Sequence, residues 1–346
     1  MKLAQTGLAK SVVAHDRVRA LNLKLWLKIL VSAGVLTLLF VLLPWNEVRD
    51  AIRRLPLTLW LAVLASFLLG HRLGAAKWRR LVNAGRASLA RADSVRFYAA
   101  GLFANICLPS IVGGDVIRAA LAARATGRVE ATVLGSIADR LVDTLMLALF
   151  VVAGVFFARN VLPDRGASLV TAALVASIIL IAVLVPLLLR LPLRRWPRKL
   201  RRRVGRSLVA FRYLARDRAT AAIAGTISLV VQGGFVLLNA WIGRAVGIDV
   251  PLAVWFFAWP LAKIVAIVPI ALGGLGVRDA TLGALLVPLG VPLATGVVAS
   301  LIWQSVLIAG GLLAGLYWWV TQRRIGVRWS TSAQPFAVAP GARPHG

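Results

Sequence analysis

One cysteine, three histidines and twelve carboxylates in 346 residues leave little material for several kinds of chemistry. With Cys107 alone, neither an intrachain disulfide nor a cysteine metal cluster can form. His15, His71 and His345 are too scattered along the chain to suggest a metal site, so no metal is expected. The sequence contains no Ser/His/Asp elbow, no Walker loop and no dinucleotide fingerprint. No catalytic residue and no cofactor is therefore expected, and the chain is not expected to be an enzyme. Acidic residues are scarce beside basic ones, 12 against 41. On a soluble protein that excess would point to nucleic acid. Here the basic residues cluster between apolar runs, as the positive-inside rule and anionic lipid headgroups require, so nucleic acid is not an expected partner.

What is present is apolar. Sixty per cent of the residues are hydrophobic and 15% charged, a membrane composition. The 12 Trp suit anchoring at the membrane interface. Apolar runs at 25–43, 57–73, 132–157, 167–189, 221–241 and 295–320 are each long enough to span a ~30 Å hydrocarbon core. The first ends at Leu43-Pro44-Trp45 and reads as a retained helix rather than a cleaved leader. Two shorter or interrupted runs, 97–112 and 254–272, end at unusual motifs.

Basic loops set the expected topology. Arg72, Lys77, Arg79, Arg80, Arg86, Arg91 and Arg96 follow the second span, and residues 190–218 carry a second block that includes Arg194, Lys199 and Arg206. Both are placed in the cytoplasm, as are the leader 1–24 and the C-terminus, where Arg323, Arg324 and Arg328 lie. An even number of crossings between the two basic loops makes 97–112 enter and return without crossing. The odd number after the second block makes 254–272 do the same from the other face, with 280–289 returning. The expected fold is an all-α polytopic membrane protein with about six full transmembrane helices plus two re-entrant helical hairpins, arranged as an inverted-topology repeat. Its segments are a basic leader 1–24, a first membrane repeat 25–160, a second 161–328 that includes the basic loop 190–218, and a disordered tail 329–346.

The two motifs carry the functional reading. Pro109-Ser110-Ile111-Val112-Gly113-Gly114-Asp115-Val116-Ile117-Arg118 returns as Pro269-Ile270-Ala271-Leu272-Gly273-Gly274-Leu275-Gly276-Val277-Arg278. Both read Pro-x-x-x-Gly-Gly-x-x-x-Arg, and 269 − 109 = 278 − 118 = 160. Irregular backbone at membrane depth is tolerated only where protein or a water-filled cavity satisfies it. Pro109 and Pro269 would break the inward helices, and Gly113, Gly114, Gly273, Gly274 and Gly276 would let the chain turn. Each restarting helix would aim its N-terminal N–H groups at an anion, with Arg118 and Arg278 about one turn in, able to grip a phosphate. Asp115 and Asp279 would pair with these arginines when no ligand is bound. The alternative is purely structural: glycines for close packing, Arg/Asp pairs as salt bridges. Repetition at identical spacing favours a site, because intramembrane ionisable groups are costly.

Asp139, Arg140 and Asp143 form a second constellation on one helix face, with Asp143 about 16 Å from the start of its run. They would gate the site, carry a proton or close the bundle as an internal ion pair. His71-Arg72 and Trp78-Arg79-Arg80 read as interfacial anchors.

At these residues the sequence resembles the lysylphosphatidylglycerol synthase/flippase transmembrane region family. The matching elements are Leu108 to Arg118 of the first motif, then Ala138-Asp139-Arg140-Leu141, then Gly273-Gly274-Leu275-Gly276-Val277-Arg278-Asp279-Ala280. The likeness runs from about Trp26 to Tyr317, and Asp279 stands where the family often has Glu. The resemblance implies a multi-pass protein of the bacterial inner membrane that moves lipids between leaflets. The soluble aminoacyl-transferase domain of bifunctional members is missing, so lysyl transfer is not expected.

The leading expectation is a flippase or lipid transporter for an anionic or modified (aminoacyl-, glycosyl- or isoprenoid-type) lipid. Movement would be downhill or coupled to an ion gradient, since no ATP site is visible. Membrane lipids with anionic headgroups are the expected partners, with room for a homo-oligomer and for a separate lipid-modifying enzyme. Two rivals remain: a membrane enzyme of polyprenyl or hopanoid lipid biosynthesis, for which Asp139 and Asp143 are the candidate acid/base groups, and an accessory protein recruited through the 190–218 block.

Overall fold

A computed structural model describes residues 49, 53, 55–108, 113–161, 216–266 and 276–324 of the chain. Among them every regular element is helical. In order these are α1 (Leu57–Ala84), α2 (Arg91–Cys107), α3 (Gly113–Thr126), α4 (Val129–Phe157), α5 (Arg218–Ala245), α6 (Leu252–Val265), α7 (Val277–Leu286) and α8 (Leu293–Arg324), with a 3-10 turn at Val287–Leu289 after α7.

Four of these helices are long and apolar enough to cross a membrane: Leu57–Ala84, Val129–Phe157, Arg218–Ala245 and Leu293–Gln322. They correspond to four of the six expected spans. The runs 25–43 and 167–189 lie outside the described residues, as do the leader, most of the 190–218 block and the tail. The 28 residues of α1 reach about 42 Å at 1.5 Å per residue, more than the hydrocarbon core needs. The expected second span, 57–73, is therefore only part of this helix. Lys77 and Trp78 belong to its buried face rather than to a basic loop. Position explains the difference: four residues past Leu73 is one more helical turn, and no Pro or Gly-Pro signal interrupts it.

The eight helices form two quartets in the same order. Their starts are offset by 218 − 57 = 161 for α1/α5, 252 − 91 = 161 for α2/α6, 277 − 113 = 164 for α3/α7 and 293 − 129 = 164 for α4/α8. Packing follows the same correspondence. Helix α2 pairs with α3 as α6 pairs with α7, and α1 packs on its own counterpart α5. The hairpins are exchanged between quartets: α2 lies against α8, and α6 lies against α4. Small residues allow these crossings to be close. Gly154 of α4 faces the backbone of Phe256 and Phe257, and Gly315 of α8 faces the Phe103 ring of α2.

An aromatic chain ties the quartets together at the core. Phe67 of α1 stacks on Phe235 of α5 at 5.7 Å, Phe235 meets Trp303 of α8 at 5.6 Å, and Trp303 meets Trp259 of α6 at 5.9 Å. The outward faces are also apolar. Leu61 and Leu69 on α1, Ile137 and Phe156 on α4, Leu237 and Trp241 on α5, and Leu312 and Leu316 on α8 are all exposed. In water such a surface would aggregate; against acyl chains it is the ordinary solvent-facing side.

Candidate functional site

The interior of this apolar bundle holds a charged cluster. Lys77 on α1 is 2% exposed, Arg118 on α3 4% and Asp139 on α4 1%. Lys77 Nζ lies 3.0 Å from Asp139 Oδ1 and 2.6 Å from Asp143 Oδ1. Arg118 Nη2 lies 2.7 Å from Asp139 Oδ2 and 3.0 Å from Asp115 Oδ1. The half-exposed Arg140 donates from Nε to Asp115. Ser228 of α5 closes the network: its hydroxyl donates to Asp143 at 2.7 Å and accepts from Lys77 at 2.9 Å. Opposite charges thus alternate across α1, α3 and α4, which is how ions survive desolvation in a low-dielectric interior.

Local chemistry explains why each group stands where it does. Asp115 falls in the first turn of α3, where the helix dipole favours an anion. Asp139, Arg140 and Asp143 share a face of α4, but they do not pair among themselves. Asp139 and Arg140 reach Arg118 and Asp115 on α3, and Asp139 and Asp143 both reach Lys77 on α1, so the constellation ties α4 to two neighbouring helices through ion pairs. Aromatic rings support Arg118 from below: its guanidinium carbon lies 5.0 Å from the Trp78 ring centre and 4.9 Å from that of Tyr98. The Trp78 indole donates to Ser136 at 2.9 Å. Trp78 is therefore fully buried, not an interfacial anchor. His71 also turns inward, with its ring 4.3 Å from Phe67 and 5.4 Å from Phe235.

The glycines of the first motif act through packing. A Cβ on Gly114 would strike the carbonyl of Gly101, and one on Gly101 would sit 2.8 Å from the carbonyl of Gly114. This reciprocal contact is the crossing of α2 and α3. The Gly114 N–H donates to Asn105 Oδ1 at 2.9 Å, so that N-terminal group of α3 is already occupied. A Cβ on Gly113 would come within 2.9 Å of the Leu108 side chain.

The second motif builds a smaller site. Gly276 takes φ +78, which favours glycine, and caps α7. Its N–H is bound by Asp279 Oδ2 at 3.1 Å. Asp279, 1% exposed, also accepts from the Ser300 hydroxyl and from Arg278 Nη2 at 3.0 Å. The same Arg278 nitrogen reaches Gln304 Oε1 on α8 at 2.9 Å. Gln304 stands where α4 has Arg140, since 304 − 140 = 164, the offset of the two helix starts. The twin motifs are thus unequal, with the richer set of charges on the first. Among the described residues no hydrogen bond or ion pair joins Arg278 or Asp279 to Asp115 or Arg118. Pro109, Pro269, Gly273 and Gly274 lie outside the described residues.

A cavity of about 90 Å³ opens beside the first cluster. Lys77, Asp115, Arg118, Asp139, Arg140 and Asp143 line it together with Asn105 and Tyr98, and α5 and α6 contribute Gln232 and Lys263. Arg278 and Asp279 do not. Lys263 was hidden in an apolar run of the sequence. It donates to Gln232 Oε1 at 2.9 Å and lies 4.9 Å from the centre of the Trp259 ring. Among the described residues it forms no salt bridge. Lys77, Tyr98, Ser228 and Lys263 are the site residues that motif reading passed over. Lys263 carried a signal, as the one cation within the apolar 254–272 run, whereas Lys77 was masked by its basic neighbours Arg72, Arg79 and Arg80.

An apolar-surfaced helical bundle with charges sealed inside defines the class: a multi-pass membrane protein built on an internal repeat. The chain belongs to a family within that class, the lysylphosphatidylglycerol synthase TM region, whose profile matches residues 25–315. No curated protein and no solved structure matches it.

Proposed function

We propose that this protein is a lipid flippase of the inner membrane, moving an anionic or modified lipid between leaflets. One observation carries the reading: a charged cavity enclosed by helices of both quartets, inside a bundle whose outer surface is apolar. A headgroup can be taken off the interface into that cavity while its acyl chains stay in lipid. The exchange of hairpins between quartets supports an internal repeat around a central site; in this reading the repeat is inverted, with six spans, two re-entrant hairpins and both termini cytoplasmic, and the site is opened to each side in turn. The family match supports a lipid as cargo. In this reading the chain is not itself an enzyme: Lys77 holds both Asp139 and Asp143, which leaves neither as a free general base.

Proteoliposomes with fluorescent anionic or zwitterionic lipids, bleached from outside, test the proposal. The expected result is leaflet exchange by the wild type, with the cavity variants Arg118→Ala and Arg140→Ala slower. An absence of exchange above protein-free vesicles, or variants indistinguishable from wild type, would sink it.

A further inference from the structure

The cavity's charges do not cancel. Four bases, Lys77, Arg118, Arg140 and Lys263, face three carboxylates, Asp115, Asp139 and Asp143. The carboxylates are all engaged by the first three bases, and Lys263 is left without one. Its ammonium has three N–H donors and spends one on Gln232. Arg118 Nε and Nη1 are buried and also lack an acceptor. A buried donor without an acceptor is costly, and several around one cavity fit a bound anion.

Beside this cavity runs a second space of about 360 Å³, open along one side and lined mainly by apolar groups of α1, α2 and α8, among them Leu68, Ala99 and Ala314. His71, Tyr98 and Leu102 line both spaces. The first is small and lined by charged groups, with room for a few waters or one compact oxyanion. The second offers apolar walls that suit a hydrocarbon chain, not solvent.

We infer that the two spaces together hold one amphiphile: a single anionic oxygen group bound at Lys263, and one hydrocarbon chain along the α1/α2/α8 groove. Charge sets the headgroup and adjacency sets the chain, since His71, Tyr98 and Leu102 form a wall common to the two spaces, over which the amphiphile would lie. This inference rests on the lipid-transport reading and specifies its cargo as a lipid with a net negative group. The same oxyanion chemistry could be met by a free phosphate, and the test separates the two sources.

Binding is read in detergent, as the ligand-dependent rise of the thermal unfolding midpoint followed by tryptophan fluorescence. The probes are dihexanoyl phosphatidylglycerol, dihexanoyl phosphatidylcholine and inorganic phosphate. The anionic lipid is expected to bind tightest. Lys263→Gln should weaken it about tenfold, the scale of one charged hydrogen bond, while Lys263→Arg keeps most of the affinity. Ala314→Phe, which fills the groove, should weaken the lipid and leave phosphate unchanged. The inference is overturned by equal binding of the two lipids, by phosphate binding as tightly as the anionic lipid, or by undiminished anionic-lipid binding in Lys263→Gln. Failure of wild-type leaflet exchange, with this binding pattern intact, would remove the transport reading alone.

Discussion

Removing the Asp139 charge is the sharpest test of how the interior is held together. In Asp139→Asn, Arg118 loses its 2.7 Å partner and Lys77 its 3.0 Å partner; Lys77 keeps Asp143, while Arg118 is left to share Asp115 with Arg140. At 3.0 Å and an effective dielectric of ~20, Coulomb's law assigns about 5–6 kcal/mol to each contact. Desolvation offsets much of that for the intact pair. Losing one partner leaves a cation uncompensated, and such losses cost about 3–5 kcal/mol. Lys77→Met should cost a similar amount, because it strands Asp139 and Asp143 near one another. The double variant removes one charge of each sign and should be less damaged than the two single costs combined, with a coupling of about 1–3 kcal/mol. Unfolding midpoints in detergent, at fixed lipid and protein concentration, measure this. Trp78 beneath Arg118 is a natural reporter. Single variants within a degree of wild type, or strictly additive effects, would refute the view that these charges form one mutually dependent network.

Four further outcomes follow from the geometry. Gly114→Ala should force α2 and α3 apart, costing about 1–3 kcal/mol by overpacking, read as a lower unfolding midpoint. Ser300→Ala should cost about 1–3 kcal/mol by removing a hydroxyl from the buried Asp279, and Ser300→Thr should recover part of it on the same assay. At the start of α5, Asp217 accepts the Thr220 N–H at 2.9 Å, and that bond holds its carboxyl below the ordinary 3.8. Its folded pKa is the depressed one, so the cap is at full strength above about pH 3.8 and fades as pH falls through the lower value; Asp217→Ala should therefore raise amide hydrogen exchange in the first turn of α5 at pH 7, and Asp217→Asn should not. Cysteine labelling checks the hairpins: Cys107 at the end of α2, and Ile264→Cys near the end of α6 in a Cys107→Ser background, should react with polar maleimides added from opposite faces. Labelling of both from one face would contradict the inverted repeat.

Much of the architecture was legible from composition and periodicity alone. Apolar runs of spanning length located α1, α4, α5 and α8, because the bilayer demands length and apolarity that local sequence displays directly. The repeat was legible too, since Pro-x-x-x-Gly-Gly-x-x-x-Arg recurs at a fixed offset, and the described helices recur at 161 to 164. Boundaries were less visible. The 57–73 run continues to Ala84 because Lys77 is neutralised by residues more than 60 positions away, and no local signal carries that.

What the sequence determined by itself is that this chain is helical, apolar and internally repeated, with ionisable groups placed where a bilayer would punish them. Those properties depend on residue type and near neighbours. Which charges meet, and which is left over, only the tertiary structure decided. The twin arginines serve separate polar sites, Asp139 joins Arg118 to Lys77, and of the four bases lining the cavity Lys263, on the other quartet, is the one with no carboxylate among the described residues. Coulomb energy falls off with distance in space, and the helix crossings bring together residues that the chain keeps far apart.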